Sequence, residues 1–267
     1  MADIISATQA ITTDRRGVYA AALSDIPWTE AGKSGIYHKP VREDDANGLF
    51  LGMLAFDALT GSDLHQHQAT AISYFVDGGL TDYQGTARVG EVGVNLAGAT
   101  HDAMAYQRTV LVARLEGPVI YPESAEPLHR LHVGSRRAGV RNAQPEVMPD
   151  INFMLDDIPK VPTAVGGVAR QLGFDYIRTS DNRRFSQLQF VPGSRTPYMR
   201  ASDRLELWVR GGALEANGVA AGPSDFLIIE PNTEFQLKSD YGALVLAWAD
   251  GPTLWSEGEA KPELFGF

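Results

Sequence analysis

The sequence repeats itself at long range, and this limits what it can fold into. Leu23-Ser-Asp-Ile-Pro27 returns as Leu155-Asp-Asp-Ile-Pro159, 132 residues on. Gly78-Gly79 returns as Gly211-Gly212, 133 on, and Glu91 as Asp225, 134 on, both of these leading into an apolar run. A spacing that drifts by two residues over three markers is that of a duplicated domain with small loop changes. A chain of 267 residues can bury one large core or two modest ones, and the repeat selects two. The expected boundaries are 1–121 for the first half and 155–267 for the second. Residues 122–154, with Pro122, Pro127, Pro145 and Pro149, are expected to link them.

Within each half the apolar runs are short and end in Gly, Pro, Asn or Asp. They are Gly48 to Ala58, Ala71 to Val76, Val92 to Leu96 and Thr109 to Leu115, then Gln187 to Val191, Leu205 to Val209, Phe226 to Ile229 and Ala243 to Trp248. Runs of this length, rich in Val, Ile, Leu, Phe and Tyr, predict strands of an all-β sandwich or barrel. Helix is expected only in short pieces, such as Arg15 to Leu23.

Composition narrows the function. No cysteine is present, which excludes disulfides, thiolate metal sites and a cysteine nucleophile. A net charge of −10, with basic residues only in pairs such as Arg15-Arg16, Arg136-Arg137 and Arg183-Arg184, gives no surface for nucleic acid. No window approaches the ~20 apolar residues of a membrane span, and the N-terminus lacks the pattern of a signal peptide; a cytoplasmic location is expected. Gly-x-Gly-x-x-Gly, P-loop and Gly-x-Ser-x-Gly patterns are missing, against nucleotide cofactors and a serine hydrolase.

Chemistry concentrates in Gly61-Ser-Asp-Leu-His-Gln-His67. Side chains at i and i+2 of a strand share a face, so His65 and His67 can converge on one point. His101 follows a Gly-containing turn at Leu96-Ala-Gly-Ala-Thr and is the expected third ligand. Three neutral imidazoles suit Fe, Zn, Ni or Cu and disfavour Mg or Ca. Ala71, Ser73 and Phe75 are in phase on the next strand and are the expected cavity lining. Asp63 and Tyr74 are neighbours in sequence with no assignable role. His38 is read as structural, and His129 and His132 as solvated.

The order of a glycine, His-x-His, an aromatic strand ending in Gly, and a Gly-x-x-His turn resembles the cupin superfamily. Asp25-Ile-Pro-Trp28 and Gly35-Ile-Tyr-His-Lys-Pro40, ahead of that motif, are similar to the cupins related to the anti-sigma factor ChrR. Small cupins such as acetylacetone and dihydroxyacetophenone dioxygenase are also similar. The resemblance covers residues 23 to 120, and 155 to 250 through the repeat. It implies two tandem cupin barrels, each a double-stranded β-helix (jelly roll). It also implies a carboxylate ligand seven residues before the strand-ending Gly78, and that position holds Ala71. The site is therefore expected to resemble the three-histidine centres of the dioxygenases.

At an offset of 134 the second half places Met199, Ala201 and Phe235 where the first has His65, His67 and His101. One divalent transition metal per chain is expected, Fe first, with Zn, Ni or Mn as alternatives. Tyr198, Arg204 and Glu206 are read as a solvated face of the second half. The function expected is a dioxygenase that cleaves a small diketone or aromatic hydroxyketone bound as a chelating enolate. Its partners would be that substrate and O₂, with a homodimer allowed. The alternative is a non-enzymatic metal or ligand sensor like ChrR, although the 22 residues ahead of the first repeat are too short for a sigma-binding segment.

Overall fold

A computed structural model describes residues 11–14, 17–121, 133–134, 150–175, 183–256 and 262–265. His129, His132, Arg15-Arg16 and Arg136-Arg137 lie outside them. Among the described residues the protein is all-β; its only helical turns are 3₁₀ turns at Leu155–Asp157 and Pro262–Phe265. The chain divides into two compact units, one built on Pro27–Met154 and the other on Ala7–Ile26 with Leu155–Phe267.

The main sheet of the first unit has seven antiparallel strands. In order across the sheet they are Asp150–Met154, Glu91–Asn95, Ala71–Asp77, Thr109–Glu116, Leu49–Phe56, Ile36–Asp44 and Thr29–Glu30. The second unit repeats the order with Phe226–Ile229, Leu205–Gly212, Ala243–Ala249, Arg184–Phe190, Val168–Asp175 and Val161–Pro162. Smaller sheets complete each unit: two of four strands in the first, one of four and one of three in the second. The order of the main-sheet strands thus repeats as the sequence duplication implies. Its glycine marker shifts by one. Gly78 (φ 69°) and Gly212 (φ 76°) both take the left-handed conformation, while Gly211 does not.

Two expectations fail at the unit edges. Val18–Ala21, expected in a helix, is a strand paired antiparallel with Phe226–Ile229. Val18 and Ala20 enter the core around Leu227 and Ile229, so burial against a sheet edge outweighs weak local preference. The N-terminal segment therefore belongs to the second unit and not to the first. Likewise Asp150–Met154, expected in the linker, pairs with Glu91–Asn95 in register from Glu91 with Met154 to Asn95 with Asp150. Each unit extends the same sheet edge with chain from outside its own repeat: one strand in the first, and in the second two, Val18–Ala21 and outermost Ile11–Asp14.

The sequence places His38 on an early strand, which is Ile36–Asp44, but its bounds and the whole of Val168–Asp175 are hidden by their polar residues. Pro40 sits at a register shift in the first of these, one of the few places in a sheet where proline is tolerated. His38 stacks on Phe50 at 6.2 Å, a packing role.

Candidate metal centre

His65 and His67 lie on the three-residue strand His65–His67, which pairs with Thr100–His101 so that His65 faces His101 across the ladder. Alternation turns Gln66 to the other face, where its amide donates to Thr100 Oγ1 at 3.1 Å. The three rings meet with centroids 4.8–5.2 Å apart. One nitrogen from each lies within 4.8 Å of the others. The Nε2 atoms of His67 and His101 are 3.2 Å apart. Imidazole nitrogens held at about 2.0–2.1 Å by one ion stand roughly 2.8–3.4 Å from each other at bond angles of about 90–109°, so this pair already has the spacing of two ligands of one metal.

Hydrogen bonds set the rings. His65 Nδ1 lies 2.8 Å from the Asp63 carbonyl oxygen, which can only accept, so Nδ1 carries the proton and Nε2 keeps its lone pair. His101 Nδ1 lies 3.2 Å from Asp82 Oδ2 and is fixed in the same way. Gln84's backbone N–H donates to the other Asp82 oxygen at 2.8 Å. A carboxylate behind a histidine in this manner orients the ring and raises its basicity. Asp82 lies in the turn after the strand Gly79–Thr81, and no sequence pattern marked it. Its place one residue beyond a short strand was the available clue.

Burial, followed by the neighbouring His101, pushes His65 down to about 4 and His67 well below the usual histidine range. Both are neutral at neutral pH, as ligation requires.

The histidines open into a cavity of about 240 Å³, the volume of about eight waters in the liquid. Leu54, Phe56, Leu80, Leu111 and Leu115 make much of its wall apolar. Ala71, Ser73 and Phe75 all line it, as do Asp82, Asn95, Asn152 and Tyr121. Tyr121 is 64% exposed, with its ring 6.3 Å from that of His65. Tyr74 is buried and paired with Val92 and Val112 on the opposite face of its strand; it does not line the cavity. Asp63 holds His65 through its carbonyl, while its carboxylate holds Lys33 at 2.6 Å on the surface.

In the second unit Met199 faces Phe235 across the ladder just as His65 faces His101. Met199, Ala201 and Phe235 are at most 1% exposed and belong to its core, so side-chain packing takes the place of the histidines. Tyr198 is exposed, but Arg204 pairs with Glu230 at 2.9 Å and Glu206 is fully buried, which corrects the solvated face expected for the three.

The all-β fold, with three histidines converging inside its first unit, is of the cupin type and could hold a metal. Residues 17–120 match the family model described as the ChrR Cupin-like domain. Among solved structures, a candidate dioxygenase from Nostoc punctiforme PCC 73102 is similar at a TM-score of 0.70 and 9% identity, over 91% of this chain and 88% of that one. Oxalate decarboxylase from Bacillus subtilis, which has Mn(II) centres, is similar at 0.58 and 13%, over 90% and 78%. At these identities the likeness is one of fold. No curated protein matches the sequence. No helix among the described residues is long and apolar enough to cross a membrane.

Proposed function

We propose that the protein is a metal-dependent dioxygenase, with Fe(II) held by His65, His67 and His101, that cleaves a small diketone or aromatic hydroxyketone. The observation that carries this reading is the convergence of three imidazoles in a small, largely apolar cavity with Ala71 at the position of the usual carboxylate. A divalent ion on neutral ligands keeps its full charge, and when bound it supplies Lewis-acid and redox chemistry to a chelating enolate and O₂.

The chain's own residues do the rest. Asp63 and Asp82 hold His65 and His101 with their lone pairs inward. The leucines and Phe56 exclude water, which strengthens attraction between an anionic substrate and a cation. Phe75 and Leu111 pack against each other in the same wall and limit substrate bulk.

The test is metal content and O₂ uptake after anaerobic purification and iron loading, with pentane-2,4-dione and an aromatic hydroxyketone as substrates. One O₂ consumed per substrate cleaved, lost in His65→Ala and in His101→Ala, is expected. Tight binding of metal and diketone with no O₂ uptake overturns the enzyme reading. That outcome would favour the second reading, a metal or ligand sensor, which the ChrR Cupin-like match over 17–120 supports.

A further inference from the structure

One stretch of the cavity wall carries polar groups that the proposed metal chemistry does not use. It is laid out by the ladder in two rows over three strands. Ala71 pairs with Asn95 and Asn95 with Asp150; Ser73 pairs with Gly93 and Gly93 with Asn152. Its third strand is the segment Asp150–Met154, from between the two repeats.

Every amide in the patch has a fixed direction. Asp150 is buried, and its carboxylate can only accept. It takes Asn95 Nδ2 at 2.9 Å on one oxygen and the Tyr83 hydroxyl on the other. Burial and Asp150 both push the Tyr83 phenol upward in pKa, so it stays a donor. The Tyr83 oxygen accepts from Gln84 Nε2 at 3.3 Å, and the same amide group donates to the Asp150 carbonyl at 3.1 Å. Gln84 therefore turns Oε1 toward Asn152, which donates Nδ2 to it at 3.2 Å. By this chain of donors the Oδ1 atoms of both asparagines are left to the cavity. An independent observation places one of them: a Cβ on Gly93 would stand 3.2 Å from Asn152 Oδ1, so that oxygen lies over the bare backbone of Gly93 on the inner face.

We infer that Asn95 and Asn152 form a donor-selective subsite that takes a neutral hydroxyl group of a small substrate. Two carbonyl acceptors match an O–H, and the Asp150 carboxylate behind them disfavours an anion. Gly93 keeps the approach open. The inference rests on reading the cavity as a small-molecule site, but not on the identity of the metal or the reaction.

Phenol, toluene and benzoate test it on the metal-free protein, by ¹H–¹⁵N spectra of the asparagine side-chain amides. Phenol is expected to shift the Asn95 and Asn152 signals and to bind about three- to tenfold more tightly than toluene, the range of one net hydrogen bond. In Asn152→Ala, a change at an exposed position on an edge strand, that preference should fall to near parity with toluene binding unchanged. Gly93→Ala should also weaken phenol more than toluene. Equal binding of toluene and phenol, phenol shifts that miss both amides, or tighter binding of benzoate would overturn the subsite. Failure of iron loading or O₂ uptake strikes the dioxygenase reading alone, because these measurements need neither.

Discussion

Ala71 brings no charge to the cavity wall that it lines, and Asp82 places its charge behind His101. Ala71→Glu would return the charge to the cavity. Metal should then bind at least as tightly, and a diketonate inhibitor at least about tenfold more weakly, since it loses both an open position and net attraction. Metal competition and diketonate titration on both proteins check this; unchanged diketonate affinity would mean that residue 71 does not face the metal. Asp82→Asn should lower metal affinity about 10–100-fold while the fold stays intact, measured against a chelator of known strength. At this scale His65 and His67 were legible in the sequence from their i, i+2 spacing, Ala71 from its place four residues on, and His101 from its Gly-containing turn. Asp82, Asn95 and Asn152 were not, because no local pattern marks them and their roles come from hydrogen bonds made across strands.

At the scale of elements, strands dense in Val, Leu and Phe announced themselves, as Phe226–Ile229 did to the residue. Ile36–Asp44 carries Lys39, Pro40, Arg42 and Glu43 and is a strand because Leu49–Phe56 pairs with it. Val18–Ala21 is too short for local preference to decide, and its partner lies in the other half of the chain. The paired turns after Ala71–Asp77 and in Leu205–Gly212 test the duplication energetically. A Cβ at Gly78 would meet the Arg108 carbonyl at 2.3 Å, and one at Gly212 the Gly242 carbonyl at 2.0 Å, both at positive φ. Gly78→Ala and Gly212→Ala should each cost about 1–3 kcal/mol or more, read by urea unfolding. A neutral result at either would show that the turn can relax.

For the whole molecule the two units predict one metal per chain, since among the described residues only the first gathers histidines. Two equivalents of tightly bound iron or zinc would contradict the loss of the site at Met199, Ala201 and Phe235. Removal of residues 1–26 should bare the edge of Phe226–Ile229 and speed amide exchange there, while Ala71–Asp77 keeps its protection. Equal protection of Phe226–Ile229 in the shortened chain would argue that Val18–Ala21 contributes nothing to that edge.

The borrowed edge strands also set a timetable for synthesis. Ala21 leaves the ribosome 205 residues before its partner Phe226, an interval of about 10–40 s at ordinary translation rates of about 5–20 residues per second. Through that interval Val18–Ala21 has only its hairpin neighbour Ile11–Asp14 to pair with and keeps its other edge open, the kind of edge that recruits the wrong neighbour. The first unit is finished sooner, once Met154 has emerged, so the nascent chain carries a completed histidine cavity well before Val18–Ala21 meets Phe226–Ile229.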